Sequence, residues 1–183
     1  MSWKDVLKKD SIMKYLRLSQ NPENIKLIGV DNAGCAVVKK VILPYKNIDI
    51  SYINEELFIQ KKFNDIDKVT VGKDVIILVC YLGEIFGANT LLSFVKKLID
   101  KNIVPIVIVT TPFNFEGRKR EECANNTIEE ISRYDKNILM RIINMDKIKI
   151  TFPEGTTVPE AYTEVDRQVI EEIINLCNLL MYK

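Results

Sequence analysis

The sequence predicts an α/β fold: a doubly wound, mainly parallel sheet that lies between two layers of helices. Two observations favour this three-layer fold class. Short β-branched runs alternate with segments of helical periodicity along the 183 residues, which is the pattern of repeated strand–helix units. The two most apolar runs, 74–80 after its leading aspartate and 103–109, have no polar face, as is typical of parallel strands covered on both sides. The length fits one domain.

The first predicted element is a helix. Residues 3–18 place apolar side chains among lysines at helical spacing, which predicts an amphipathic extension (1–20) ahead of the main domain (21–183). Residues 25–30 are mostly aliphatic and predict the first strand. The Asp-Asn-Ala-Gly sequence at 31–34 predicts a turn, and the apolar spacing after it predicts a helix that reaches Ile42.

The middle of the chain continues the alternation. Residues 48–53 alternate like a second strand, and 54–63 predict a short helix capped by Asn54. The third strand, 74–80, is followed by a helix at 88–100 with its leucines on one side. The fourth strand, 103–109, is followed by a charged helix at 117–133 and a fifth strand at 137–143.

The last helix carries its own start signal, because Thr157 and Glu160 have the spacing of a capping box. One apolar stripe runs along it from Val158 to Leu180. A second stripe widens the apolar face in its C-terminal half. A helix that covers one face of a sheet needs only the first stripe, so the second predicts another surface. The residues of the second stripe are Ile170, Ile174, Cys177 and Met181.

In a doubly wound sheet, ligands bind beyond the carboxyl ends of the strands. We therefore expect a crevice lined by residues 31–35, 81–88 and 112–117. The composition limits what this crevice does. The chain has no histidine, which excludes serine–histidine and cysteine–histidine hydrolase mechanisms within it. Its seven glycines are about half the usual ~7%, which argues against a glycine-rich phosphate loop.

Several partners are not expected. The 26 basic and 25 acidic residues are balanced, with a formal net charge of +1, whereas nucleic-acid binding usually needs a basic excess. The longest apolar run, 75–82, is too short to span a membrane, and the charged N-terminus does not resemble a signal peptide. The four cysteines are scattered without a Cys-x-x-Cys pair. These features predict a cytoplasmic protein with buried or half-buried thiols and no metal site.

Three segments resemble FtsZ, the tubulin-like GTPase of bacterial cell division. Residues 109–120, Val-Thr-Thr-Pro-Phe-Asn-Phe-Glu-Gly-Arg-Lys-Arg, resemble that family's Thr-x-Pro-Phe-x-Phe-Glu-Gly-x-x-Arg signature almost residue for residue. Residues 25–34 resemble its first strand and first nucleotide loop. The closing helix, with Glu-Ala-Tyr at 160–162 and then Asp166, resembles its central helix at the guanine pocket. The resemblance implies a Rossmann-like nucleotide-binding domain with GTP or GDP as its ligand.

The resemblance implies roles for individual residues. Glu116 would contact the ribose and Arg120 the phosphates. Tyr162 would stack on the purine, and Asp166 would accept hydrogen bonds from guanine. From the residues alone, Glu116 and Arg120 are equally well explained as a surface i,i+4 ion pair worth a few tenths of a kcal/mol. Tyr162 fits a core stripe, and Asp166 fits a solvated helix charge.

The phosphate loops depart from the family. Gly29, Gly34, Gly83 and Gly87 remain at positions of the nucleotide site, but Asp31 stands in the first loop. Residues 83–89 read Gly-Glu-Ile-Phe-Gly-Ala-Asn where the family has Gly-Gly-Gly-Thr-Gly-Thr-Gly. Bulk and negative charge at such positions block the approach of phosphate to backbone N–H groups. Met145 also stands at the place of the family's base-binding asparagine.

Two segments of the family have no counterpart in this sequence. The stretch between Phe63 and Asp74 is shorter than the family's, and the Asn-x-Asp-x-x-Asp loop and second domain do not follow the central helix. We therefore expect a guanine-nucleotide-binding domain that binds weakly and has no catalytic residue of its own. The alternative is an interaction protein that self-associates through the last helix, or that caps or regulates filaments of an FtsZ relative. An active GTPase would need a partner to supply the acidic loop.

Overall fold

The computed structural model describes residues 24–56, 66–103, 105–134 and 138–181. Its centre is a five-stranded sheet in the order β2-β1-β3-β4-β5, in which every neighbouring pair is parallel. The predicted doubly wound α/β class is confirmed. The strands are β1 (Ile25–Val30), β2 (Ile48–Ile53), β3 (Val75–Tyr81), β4 (Pro105–Thr111) and β5 (Leu139–Asn144).

Helices connect the strands and cover both faces of the sheet. They are α1 (Asp31–Lys39), α2 (Ile66–Thr70), α3 (Ile85–Asp100), α4 (Arg118–Tyr134), α5 (Met145–Lys149) and α6 (Val158–Met181), with a 3-10 turn at Asn114–Glu116. The predicted helix 3–18 lies outside the described residues, as does most of the predicted helix 54–63. The short α2 and α5 were not predicted.

The sheet separates two apolar cores. Alternate residues of each strand face opposite sides, as the pleat requires. On one side β1, β3 and β4 pack against α1, α5 and α6. On the other side they pack against α3 and α4. The strand β3 is buried along all of its residues, which explains the continuous apolar run in its sequence.

The boundary between β1 and α1 differs from the prediction. Residues 31–34 were expected to form a turn, but α1 begins at Asp31, directly after Val30. The chain changes direction in a single residue, because Asp31 takes φ 68°, the left-handed conformation that most side chains avoid. The polar backbone of the first turn of α1 is thereby brought to the carboxyl end of β1.

Helix α6 packs residues of both of its predicted apolar stripes against the core. Cys177 is fully buried, and Ile170, Ile174 and Met181 pack against the same core. The second stripe therefore has a partner within the chain. Val158, predicted in the first stripe, is 52% exposed because it starts the helix at the edge of the fold. The Glu160 carboxylate accepts the Thr157 N–H at 2.8 Å, as expected of a capping box.

The burial of the thiols agrees with the sequence analysis. Cys35, Cys80 and Cys177 are buried and Cys123 is half-buried, all as free thiols. Within the described ranges, no helix is both long and apolar enough to cross a membrane.

Candidate functional site

The candidate site lies where the strand order reverses. The chain passes from β1 outward to β2 and then returns to β3 on the other side of β1, so helices leave β1 and β3 in opposite directions. Such a switch point opens a crevice at the carboxyl ends of the strands. A cleft of about 160 Å³ is found there. Its lining residues are Asp31, Asn32, Ala33, Tyr81, Leu82, Glu84, Glu116, Arg120, Met145 and Tyr162.

Asp31 closes the floor of this cleft. Its side chain is buried, and one carboxylate oxygen accepts the Gly34 N–H of α1 at 2.6 Å. The other oxygen accepts the backbone N–H of Tyr81 at 3.2 Å and the thiol of Cys80 at 3.3 Å. Burial raises the pKa of this carboxyl to about 6, although hydrogen bonds from Gly34, Cys80 and Tyr81 oppose the rise. At neutral pH the cleft floor therefore carries a negative charge.

The four glycines predicted in the site do not line the cleft themselves but have close neighbours beside it. A Cβ at Gly34 would lie 2.5 Å from the carbonyl oxygen of Val79, and one at Gly29 would lie 2.7 Å from that of Gly34. Both glycines allow α1 to pack closely on the sheet. A Cβ at Gly87 would lie 3.0 Å from the Asp31 carboxylate, so the start of α3 also meets this charge. Gly83 takes φ 134° beside the stem of Arg120.

Arg120 lies at the mouth of the cleft between two carboxylates. Its guanidinium donates to Glu116 at 2.8 Å and also pairs with Glu84. The hydrogen bond with Glu116 is the main reason why the pKa of Arg120 is raised. Glu116 accepts the Phe113 N–H at 2.8 Å as well. The i,i+4 ion pair expected from the sequence is present, but with Glu84 it becomes a bridge across the mouth.

Tyr162 and Asp166 both lie on α6, but only Tyr162 lines the cleft, whereas Asp166 contacts the lining residue Tyr81. The Tyr162 ring packs edge-on against Phe113, with centroids 5.4 Å apart. Burial and a hydrogen bond to Glu116 raise the pKa of its hydroxyl to about 12. Asp166 accepts from Lys40 Nζ and from the Tyr81 hydroxyl, both at 2.6 Å. The structure thus brings together the side chains predicted from both ends of the chain.

Tyr81 and Lys40 were not predicted as individual site residues. Tyr81 belongs to the predicted segment 81–88, and burial with the Asp166 hydrogen bond raises the pKa of its hydroxyl. Lys40 follows α1 and is one of many lysines in the sequence. Lys40 is distinguished by its ion pair with Asp166, which lies 126 positions later in the chain. A local sequence pattern does not predict such a distant pair.

Met145 also lines the cleft. It is buried, whereas the preceding Asn144 caps α5 by accepting the Lys147 N–H at 3.0 Å. Asn144 is not among the residues that line the cleft. Among the described residues, no group of three or more histidine, cysteine, aspartate or glutamate side chains could hold a metal ion.

The sequence is similar to those of curated cell division proteins. No family model matches the chain. The cell division protein FtsZ of Helicobacter pylori is 25% identical over 121 residues, which are 66% of this chain and 31% of that protein. The chain thus spans about a third of the length of this curated relative.

Solved structures extend the similarity to the fold. An FtsZ dimer, empty, from M. jannaschii superposes with a TM-score of 0.73 at 17% identity, over 100% of this chain and 61% of that one. The GDP-bound monomer of CetZ1 from Haloferax volcanii gives 0.61 at 16% identity, over 81% and 58% of the two chains. In sequence this chain is similar to FtsZ, and in fold it is an α/β domain like those of FtsZ and CetZ1.

Proposed function

We propose that this domain binds guanine nucleotide weakly in the cleft between β1 and β3 and does not hydrolyse it. The observation that carries the proposal is that Glu116, Arg120 and Tyr162 line one cleft, and that Asp166 is joined to it through the hydroxyl of the lining residue Tyr81. Glu116 lies in the β4–α4 connection, Arg120 in α4, and Tyr162 and Asp166 in α6, and each is of the type that a guanine nucleotide needs. CetZ1, a structural neighbour, has been solved with GDP.

Guanine recognition is assigned to Asp166. Guanine offers a ring N–H and an amino group side by side, and a carboxylate accepts both, whereas adenine does not present this pair. A carboxylate has about four acceptor positions, and Lys40 and Tyr81 occupy two of them on Asp166. The Tyr162 ring lies one helical turn away, beside the cleft, where a purine face would stack.

We propose weak binding because the cleft is small and because carboxylates lie where the phosphates of a nucleotide would bind. The cleft volume of about 160 Å³ is below the roughly 300–1,000 Å³ of most ligand sites. Asp31 and Glu84 place negative charge where phosphates would lie. At ~5–6 Å and an effective dielectric constant of ~20, each carboxylate–phosphate charge pair costs about 3 kcal/mol, which solvent ions reduce at the open mouth.

Loss of hydrolysis is proposed from the same groups. Hydrolysis needs a group that orients water in line with the terminal phosphate. The chain has no histidine, and the Asp31 and Glu84 carboxylates are engaged with backbone N–H groups and with Arg120. We therefore assign no catalytic residue to the cleft.

Calorimetry and thermal shift with guanosine, GDP, GTP and ATP test the proposal. We expect the guanine ligands to raise the melting temperature and ATP to leave it unchanged. Asp166→Asn should remove the preference for guanine. Glu171→Gln is the matched control, because Glu171 lies on the same helix in an exposed ion pair with Arg167. The absence of guanine-specific stabilisation in both the wild type and Glu84→Gly would refute the proposal.

A second function, as an interaction protein, is favoured by exposed apolar side chains at the same edge. Ile85, Phe115 and Ile150 follow the carboxyl ends of β3, β4 and β5, and Val158 starts α6; their exposure runs from 50% to 83%. This apolar rim would let the domain self-associate or cap filaments of an FtsZ relative, and an FtsZ of M. jannaschii has been solved as a dimer.

Sedimentation tests this second function. A wild-type dimer that becomes monomeric in Phe115→Lys or Ile150→Lys would support the apolar rim as the interface. A wild type that sediments as a monomer, and that leaves the pelleting of FtsZ filaments unchanged, would exclude it.

A further inference from the structure

We propose that the cleft selects a purine nucleoside without phosphate groups, and that Asp31 determines this selectivity. The inference rests on the function proposed above and narrows its ligand class. It comes from the place of the Asp31 carboxylate, which lies at the meeting point of two helix N-termini. The N-terminus of a helix, with its free N–H groups and its positive dipole end, is the usual position for a bound phosphate.

The Asp31 carboxylate uses the donors that a phosphate would need. It accepts the Gly34 N–H in the first turn of α1 at 2.6 Å and the Tyr81 N–H at the end of β3 at 3.2 Å. The start of α3 adjoins the same group, because the Cβ position of Gly87 is 3.0 Å from its Oδ2. An anion is thus already present as part of the chain. A second anion at this point would have to displace a buried side chain with three hydrogen bonds.

The mouth of the cleft reinforces this exclusion. The charged residues that line the cleft are three acidic ones, Asp31, Glu84 and Glu116, and one basic one, Arg120. Arg120 is paired with both glutamates, so its charge is compensated before any ligand arrives. The lining has an acidic excess, and the approach of a further negative charge is unfavourable.

The other half of the cleft suits an uncharged ligand. Glu116 has a side chain that is only 10% exposed, and Arg120, the Phe113 N–H and the Tyr162 hydroxyl use three of its about four acceptor positions. One position is left for a hydroxyl donor such as that of a ribose. Tyr162 gives an aromatic surface beside it. A nucleoside presents donors and a π face to these groups and lacks the phosphates that the acidic part repels.

Calorimetric titration of guanosine and GDP into the whole chain tests the inference. We expect wild type to bind guanosine at least about tenfold more tightly than GDP, which corresponds to about 1.4 kcal/mol. Asp31→Gly removes the carboxylate and suits φ 68°. It should strengthen GDP binding at least about tenfold and change guanosine binding by less than about threefold. Glu84→Gln should shift the ratio in the same direction and keep the fold, because the Glu84 side chain is exposed.

A pH series replaces the substitution if Asp31→Gly does not fold. Cyclic guanosine monophosphate keeps one negative charge between about pH 5 and 7.5, whereas the Asp31 carboxyl titrates in this interval. Glu84, Cys80 and Tyr81 also face that carboxyl. Binding of the cyclic nucleotide should strengthen at least about threefold at the lower pH, with guanosine binding unchanged.

The outcomes separate the two proposals. Equal or tighter binding of GDP than of guanosine by wild type would overturn the nucleoside inference and leave guanine binding standing. Unchanged ligand preference in Asp31→Gly and Glu84→Gln would also overturn it. No binding of either ligand by wild type and by both variants would overturn the proposed function and the inference together.

Discussion

Raising the pH from about 5 to about 7.5 is expected to destabilise the folded chain through Asp31. Its pKa is about 6 in the folded chain, above the 3.8 of an unhindered aspartate, chiefly because the side chain is buried. The folded state therefore holds this proton more tightly than the unfolded state does. The stabilising contribution is complete below the unfolded pKa and is lost as the pH rises through the folded pKa.

The size of the effect follows from the two pKa values. The difference between about 6 and 3.8 corresponds to about 3 kcal/mol over the whole titration. About half of this, roughly 1.4 kcal/mol, falls between pH ~5 and ~7.5. The chain contains no histidine, so the usual source of stability changes in this interval is absent and the Asp31 contribution is easier to isolate.

Urea denaturation of wild type and Asp31→Asn at both pH values measures it. Asp31→Asn removes the titrating group, so its free energy of unfolding should vary less with pH by about 1–1.5 kcal/mol. The comparison uses the change of the free energy of unfolding with pH. A loss of stability in the variant that is the same at both pH values therefore does not affect it. Asp146→Asn is the matched control, because Asp146 also accepts a backbone N–H, that of Asn114 at 3.2 Å. Parallel changes in wild type and Asp31→Asn would show that the reasoning about this carboxyl is wrong.

Three further predictions concern packing and hydrogen bonding. Gly34→Ala should lower the free energy of unfolding by about 1–3 kcal/mol or more in urea, because its Cβ would lie 2.5 Å from a carbonyl oxygen of β3; an unchanged midpoint would contradict this. Tyr81→Phe should cost about 1–2 kcal/mol, since its hydroxyl donates to Asp166 at 2.6 Å, whereas the exposed Tyr134→Phe should be neutral by the same assay. Ile174→Lys should lower the free energy of unfolding by about 1–3 kcal/mol and leave the sedimentation coefficient unchanged; loss of an oligomer without loss of stability would assign the second stripe of α6 to a partner.

The strands were predictable because a buried strand requires a run of apolar residues, which is visible in the local sequence. β1 and β2 have the predicted bounds, and β3 to β5 differ by one or two residues. Helix starts were less accurate, since they depend on caps and on single dihedral angles. Helix α1 begins three residues before the expected end of its turn, because Asp31 alone completes the turn. The short α5 is held by burial of Met145 and Ile148, which is a tertiary effect.

The segments that form the site could be predicted from the sequence, but the hydrogen bonds between their side chains could not. Parallel topology brings the carboxyl ends of β1, β3 and β4 to one edge, so the three crevice segments could be expected from the strand pattern. The hydrogen-bond partners could not be predicted in the same way. Asp166 is held by Lys40 and Tyr81, which lie 126 and 85 positions away. Sequence periodicity has no information on such distant pairs.

The glycines of the cleft are weaker evidence for a ligand than their positions suggest. Gly29 and Gly34 are required by the packing of α1 on the sheet, because a Cβ at either would lie within 2.7 Å of a backbone oxygen. The fold demands them whether or not a nucleotide binds. Asp31 shows the converse, since it keeps the φ of 68° that glycine adopts most easily and fills the space with a carboxylate. Its hydrogen bonds offset a strain of roughly 1–2 kcal/mol. In the function proposed above, a phosphate position is closed without any change of fold, and the proposal of a ligand rests on Glu116, Tyr162 and Asp166, whose side chains this packing does not require.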